Sequence, residues 1–161
     1  MNPPVVPGLV VIVMGSPADA PHAARIAEAA AAFGIEVVTR IGSAHRTPEH
    51  VLGLLREYDA QARPVVFVTV AGRSNALSGF ADPSVLAPVI ACPPPGDPVD
   101  VWSSLRMPPG VGCATVLEPA NAALMAAKVL AVADPGLASR VRAYQAAQRA
   151  RILDADREVS P

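Results

Sequence analysis

The segment IEVVTRIGSAHRTPEHVLGLLREY (residues 35–58) joins a run of strand-forming residues to a run with helical spacing. Residues 35–41 are rich in β-branched side chains, whereas apolar side chains recur at helical intervals within residues 48–60. In a parallel α/β sheet such a junction lies at the carboxyl edge of the strands, where ligands of open sheets bind. The segment therefore predicts an α/β fold and places residues 42–48 at the ligand-binding edge.

The loop within this segment, GSAHRTP, has two interpretations. Thr47 is suited to cap the following helix, Pro48 to occupy its first position, and Glu49 to face its positive end. In the simpler interpretation the loop is a helix start that carries His45 and Arg46 on the surface. In the other, free N–H groups, a hydroxyl and a guanidinium form an anion site beside a titratable imidazole. The loop alone leaves both interpretations open.

The rest of the chain repeats this pattern of strand, loop and helix. Strands are predicted at residues 9–14, 35–41, 65–70, 86–92 and 112–117, and helical patterns follow the first, second, fourth and fifth of them. The alternation predicts a three-layer α/β/α domain with a parallel five-stranded sheet, and right-handed crossovers favour the strand order 2-1-3-4-5. An extra helix, residues 137–156, follows the last strand. We expect a single domain over residues 8–161 and a flexible leader over residues 1–7.

Composition limits the classes of partner. Apolar residues make up 52% of the chain, charged residues 17%, and the formal net charge is −1, so nothing attracts it generally to nucleic acid or to an anionic membrane. No apolar run is long enough to span a bilayer, and no Cys/His spacing suggests a metal site. Cys92 and Cys113 are predicted to be reduced core residues. We expect a cytoplasmic protein that buries part of its apolar excess between subunits.

Polar side chains gather in the first three predicted strand-to-helix loops, which we call loop one (residues 15–21), loop two (42–48) and loop three (71–77). Hydroxyl groups, an Arg and helix N-termini suit a phosphomonoester, and a carboxylate can accept hydrogen bonds from a ribose diol. The candidates are Ser16 and Asp19 in loop one, Ser43, His45 and Arg46 in loop two, and Arg73, Ser74 and Asn75 in loop three. They predict a sugar-phosphate pocket in which His45 can exchange a proton near neutral pH.

Two common phosphate-binding signatures are missing from the loops. Neither the GxGxxG fingerprint nor the GxxxxGK[ST] loop follows the first strand. We therefore expect neither a dinucleotide cofactor nor ATP.

Read together, the loops resemble the phosphoribosylaminoimidazole (AIR) carboxylase family of purine biosynthesis. The resemblance covers roughly residues 8–158 and includes an Ala-rich segment that begins at Pro119. Its motifs are MGSPAD (14–19), GSAHRTP (42–48), VAGRSNALSG (70–79), PVIACPP (88–94) and DVWSSLRMPPGVGCATV (100–116). Several motifs in one order are more specific than any single loop.

This resemblance implies one of two reactions. Direct carboxylases add CO2 to ring carbon 4 of 5-aminoimidazole ribonucleotide (AIR), giving 4-carboxy-5-aminoimidazole ribonucleotide (CAIR); mutases move the carboxylate of N5-carboxyaminoimidazole ribonucleotide to the same carbon. The AGRSN loop and the DVWSSLR segment are similar to the direct carboxylases. Arg46 is similar to the mutases, because direct carboxylases carry Lys there. A third, more remote possibility is a noncatalytic flavodoxin-like module that binds a phosphate ligand.

The resemblance also implies residue roles, a homo-oligomer and a reaction without cofactor or metal. Octamers are the expected assembly and tetramers the alternative. The partners would be the nucleotide and CO2. By the same resemblance, the residues that hold the phosphate are Ser16, Ser43 and Arg46, the ribose ligand is Asp19, the group that handles the proton at carbon 4 is His45, and the loop that receives CO2 or carboxylate is Gly72, Arg73, Ser74 and Asn75.

Overall fold

The structure is a computed structural model and describes residues 5–160. Its strands are β1 (Leu9–Met14), β2 (Glu36–Ile41), β3 (Val65–Val70), β4 (Val89–Ala91) and β5 (Ala114–Thr115). Its helices are α1 (Ala20–Ala31), α2 (Pro48–Asp59), α3 (Ala76–Ala81), α4 (Trp102–Leu105), α5 (Pro119–Leu130) and α6 (Pro135–Val159). Short 3-10 turns occupy Pro17–Asp19, Asp82–Ser84 and Pro98–Val101.

The five strands form one parallel sheet in the order β2-β1-β3-β4-β5, as the sequence predicts. Strands β1 and β3 are central, and all of their residues are buried. This burial explains why both read as continuous apolar runs, since a strand covered on both faces has no solvent-facing side chains.

Side chains alternate along β1 between two cores, one on each face of the sheet. Val10 and Ile12 belong to the core that α1, α5 and α6 cover, where small alanines let α1 and α5 approach closely. Val11 and Val13 face the other core, which α2 and α3 cover. The three-layer α/β/α prediction is therefore confirmed, with the extra helix α6 after the last strand.

Strand β4 is shorter than predicted, because its first residues are held by a helix instead of the sheet. The backbone N–H groups of Leu86 and Ala87 donate to the Asp59 carboxylate at the end of α2, both at 3.0 Å. Pro88 has no N–H to offer, and the Leu86 side chain is 94% exposed. Strand β4 therefore begins at Val89.

Strand β5 is also shorter than predicted. The backbone N–H of Gly112 donates to Asp82 at 2.6 Å, so it is directed away from the sheet. Pairing with β4 begins at Ala114, leaving two strand residues. Cys113, just before the strand, is partly buried and packs against the core that α2 and α3 cover, whereas Cys92 is fully buried; both cysteines are free.

The predicted leader falls partly outside the described residues. Residues 1–4 are not described, and residues 5–7 are exposed. Arg63 donates to the carbonyl oxygens of Pro7 and Gly8, at 3.0 and 3.1 Å, immediately before β1. Across residues 5–160, no helix combines the length and apolar character needed to cross a membrane.

Candidate active site

A cavity of about 600 Å³ opens at the carboxyl ends of β1, β2 and β3. All three loops contribute to it, as expected for ligand sites of open parallel sheets. The predicted residues that line it are Ser16, Asp19, Ser43, His45, Arg46, Gly72, Arg73 and Ser74. The structure therefore brings together all the predicted site residues except Asn75.

Loop one enters the cavity at a point where two loops nearly touch. The N–H of Gly15 donates to the Val70 carbonyl at 2.8 Å, and a Cβ on Gly15 would lie 3.3 Å from the Cβ of Ala71. Glycine therefore lets loop one pass against loop three. Ser16 then caps the following turn by accepting the Ala18 N–H at 3.2 Å.

Asp19 lies at the start of α1 on the cavity wall. Partial burial raises the pKa of its carboxyl, while a hydrogen bond with the backbone of Ser16 and the nearby His22 act in the opposite direction. The Asp19 side chain makes no capping hydrogen bond to the helix. Its carboxylate remains directed to the cavity, where it can accept hydrogen bonds from a diol.

Loop two is closed by a reciprocal pair. Thr47 Oγ1 accepts the Ser43 N–H at 3.0 Å and donates to the Ser43 carbonyl oxygen at 3.3 Å. The predicted cap of α2 by the Thr47 side chain is therefore wrong, since that side chain is used within the loop. This closure fixes the backbone on which His45 and Arg46 stand.

Arg46 connects loops one and two. Its Nη2 donates to the Gly15 carbonyl oxygen at 3.3 Å, and its Nε donates to Ser43 Oγ at 3.4 Å. A guanidinium has five N–H groups in a rigid fork, so several remain for a phosphate while these two long contacts hold the side chain at the rim. His45, beside it, is exposed and also lines the cavity, so its ring is accessible to a ligand.

Loop three follows a sharp bend of the backbone. Arg73 has φ of +56°, a left-handed backbone conformation that is unusual for a residue other than Gly. At Gly72, an added Cβ would lie 3.4 Å from Pro94, so the loop also passes closely over the residues after β4. The loop exposes Arg73 and Ser74 while Asn75 turns inward and is only 3% exposed.

A buried pair lies behind loop one. His22 Nε2 lies 3.4 Å from Cys92 Sγ, which connects the first turn of α1 to the end of β4. Burial, followed by the charge of Arg25, lowers the pKa of His22. Burial, followed by the charge of Glu118, raises the pKa of Cys92 to about 12. Both side chains are thus held neutral near pH 7.

The apolar part of the cavity wall was not predicted from the sequence. Ala44, Ala71 and Leu77 line it beside the polar groups. Polar candidates stand out in a loop, whereas small apolar residues there resemble ordinary core positions. Within residues 5–160, no cluster of three or more His, Cys, Asp or Glu is arranged to hold a metal ion.

A parallel sheet with hydroxyl, carboxylate, guanidinium and imidazole groups around one edge cavity defines an α/β enzyme whose site suits a sugar phosphate. The family model of AIR carboxylase matches residues 9–151. The chain therefore belongs to the AIR carboxylase family, whose reaction is the carboxylation of AIR in purine biosynthesis.

Named relatives agree with this assignment. The phosphoribosylaminoimidazole carboxylase of Treponema denticola is 50% identical over 151 residues, which are 92% of this chain and 95% of that protein. The phosphoribosylaminoimidazole carboxylase of Archaeoglobus fulgidus is 50% identical over 152 residues, 92% of this chain and 83% of that protein.

Two further comparisons concern fold and domain content. The crystal structure of Treponema denticola PurE has a TM-score of 0.94 at 48% identity, covering 96% of this chain and 99% of that one, which confirms the flavodoxin-like fold. In Drosophila melanogaster, a bifunctional phosphoribosylaminoimidazole carboxylase/phosphoribosylaminoimidazole succinocarboxamide synthetase is 43% identical over 94% of this chain and 36% of its own length.

Proposed function

We propose that this enzyme carboxylates AIR directly with CO2 at ring carbon 4 to give CAIR, without ATP or another cofactor. The observation that carries the proposal is that one cavity joins hydroxyl and guanidinium groups, a carboxylate, an imidazole and residues of the AGRSN loop. The carboxylase names of the Treponema and Archaeoglobus relatives support the same reaction.

Each group has a chemical role in this proposal. Ser16, Ser43 and Arg46 bind the phosphate, because hydroxyls and a guanidinium are strong donors to a phosphate dianion. Asp19 accepts hydrogen bonds from the two ribose hydroxyls. The ring then lies between His45 and loop three, where residues 72–74 form the subsite for CO2.

The reaction needs no external energy source. Carbon 4 of the electron-rich aminoimidazole attacks the carbon of CO2, and a pair of electrons from one C=O bond moves onto oxygen to form the carboxylate. His45 accepts the proton that leaves carbon 4, which restores the aromatic ring. The protein contributes proximity, worth several kcal/mol, and an apolar wall that limits water around a weak electrophile.

The mutase is the second candidate, because Arg46 is similar to that branch. Arg and Lys both neutralise phosphate, but only Arg offers a planar fork. Arg46 therefore bears on how the phosphate is held more than on which carboxyl donor is used.

We propose further that the enzyme is a cytoplasmic homo-oligomer, an octamer or alternatively a tetramer.

Parallel turnover assays decide between the two reactions. Purified enzyme is given either AIR with bicarbonate as the source of CO2, or N5-carboxyaminoimidazole ribonucleotide, both without ATP. We expect CAIR to form from AIR and CO2. Turnover of only the N5-carboxylated nucleotide would overturn the proposal and assign the mutase reaction.

A further inference from the structure

We propose that Asn75, Ser103 and Ser104 form a positioning unit, the Asn75 clamp, which fixes loop three from below and so sets the CO2 subsite. The inference rests on the proposed function, because that function places CO2 at loop three. It assigns to Asn75 a role other than ligand, and it brings the DVWSSLR segment into the site through α4 and the turn before it.

Ser103 holds the backbone on both sides of Ser74. Its Oγ accepts the Asn75 N–H at 2.8 Å, lies 3.3 Å from the Arg73 carbonyl oxygen, and donates at 2.7 Å to the carbonyl oxygen of Asp100. The hydroxyl thus contacts the residue before Ser74 and the residue after it. A change at Ser103 is therefore transmitted directly to the position of the Ser74 side chain.

The Asn75 side chain has no donor left for a ligand. Its Nδ2 donates to Ser104 Oγ at 2.9 Å and to Ser78 Oγ at 3.1 Å, which uses both amide hydrogens. Its Oδ1 accepts the Ser78 N–H at 3.3 Å and so caps α3. The side chains of Asn75, Ser78 and Ser104 are buried, so a ligand in the cavity meets the loop above Asn75 and not its side-chain amide.

The clamp is anchored to the sheet. The Ser104 carbonyl oxygen accepts a hydrogen bond from Thr115 Oγ1 at 2.7 Å, and Thr115 belongs to β5. A continuous path of hydrogen bonds therefore runs from β5 through Ser104 to Asn75. Such networks inside a protein resist distortion, because a broken member leaves buried polar groups without partners.

One backbone position in loop three needs neighbouring contacts to keep its conformation. Arg73 adopts a left-handed conformation that is unfavourable for a residue with a side chain. A strained residue keeps its conformation only when neighbouring contacts determine it. The clamp supplies those contacts at Asn75, two residues after Arg73. The residues proposed to bind phosphate and ribose lie in loops one and two.

Ser103→Ala tests the clamp, with Ser103→Thr to restore the hydroxyl and Ser84→Ala as the matched control. Ser84→Ala removes the same kind of hydrogen bond, because the Ser84 hydroxyl donates to the Phe80 backbone oxygen at 2.7 Å. This bond lies at the other end of α3. Because a small displacement at a reacting centre is costly, we expect Ser103→Ala to lower kcat, or raise KM for CO2, by roughly tenfold or more. The Kd for AIR should stay within about twofold in all three variants.

Recovery of most of that loss in Ser103→Thr, with Ser84→Ala retaining wild-type turnover, would support the clamp. Turnover of Ser103→Ala within about twofold of wild type would overturn it, as would an equal loss in Ser84→Ala. The ratio of variant to wild type is measured on whichever of the two nucleotides the wild type converts. A failed proposed function is therefore visible in the wild type, and a failed clamp in the ratio.

Hydrogen exchange on the ligand-free enzyme gives a second readout that needs no activity. The backbone N–H of Asn75 should exchange faster in Ser103→Ala, because its acceptor is lost. Exchange of residues 71–77 should be unchanged in Ser84→Ala. Unchanged exchange of this loop in Ser103→Ala would overturn the clamp even if the enzyme converts neither nucleotide.

Discussion

Asp19, to which the proposed function gives a ribose-binding role, carries a cost to the fold. Its pKa is raised mainly because burial at the start of α1 removes water from the carboxylate. A carboxylate with a raised folded-state pKa costs stability once it is ionised, so the cost is present at neutral pH. It disappears as the pH falls through the folded-state pKa to below the ordinary value near 3.9.

Asp19→Asn should therefore raise the free energy of unfolding at pH 7, and the gain over wild type should shrink as the pH approaches about 4. Urea unfolding at several pH values measures both effects. In the proposed function the same variant loses affinity for AIR, because a carboxylate acceptor for the ribose hydroxyls is gone. A variant that is less stable than wild type at pH 7, or that binds AIR equally well, would contradict this account of Asp19.

Single residues of the site were predictable where chemistry alone identifies them. His45 and Arg46 stand out as a titratable and a cationic group at a strand-to-helix junction, and the structure places both at the cavity. Asn75 and Thr47 were harder, because a loop has no periodicity that shows which way a side chain points. Asn75 turns down to Ser78 and Ser104, and Thr47 pairs with its own loop.

At the level of elements, prediction depended on burial. Strands β1 and β3 were predicted with their observed bounds, because a strand covered on both faces is an unbroken apolar run. Strands β4 and β5 were overextended, because side chains from Asp59 and Asp82 take backbone N–H groups that an apolar pattern assigns to the sheet. Helix α3 was not predicted, since its six residues are too few for a helical period to appear.

Helix α1 depends on a glycine where the chain turns to β2. Gly34 has φ of +70°, as expected for a left-handed residue just beyond a helix, whereas Gly53 lies within α2 with no atom within 4 Å of an added Cβ. Gly34→Ala should destabilise the protein by about 1 kcal/mol, while Gly53→Ala should stabilise it by roughly 0.5–1 kcal/mol.

Urea unfolding of the two variants checks this expectation, with each substitution the control for the other. Equal shifts of the same sign would contradict the assignment of Gly34 to a backbone position that needs positive φ.

At the level of the whole molecule, apolar side chains remain on the surface. Trp102 is 60% exposed, and beyond residue 145 every described residue of α6 is exposed, including Ile152 and Leu153. Apolar surface of this kind is commonly covered by another protein chain. It accords with the apolar excess of the sequence.

We therefore expect the protein to sediment as a homo-oligomer, with the mass independent of AIR. The family resemblance implies an octamer or alternatively a tetramer. Sedimentation velocity over a range of concentrations measures this. A species with the mass of a single chain throughout that range would contradict the prediction.

In the proposed function one cavity, formed by loops one, two and three, binds the nucleotide and carries out proton transfer through His45. The most direct test is His45→Asn, assayed for both AIR binding and turnover. We predict that the Kd for AIR stays within about threefold of wild type, because Arg46 and Asp19 are unchanged, while turnover falls by 10² or more, about what a positioned general base contributes. Turnover near the wild-type rate would remove His45 from the mechanism and contradict the account.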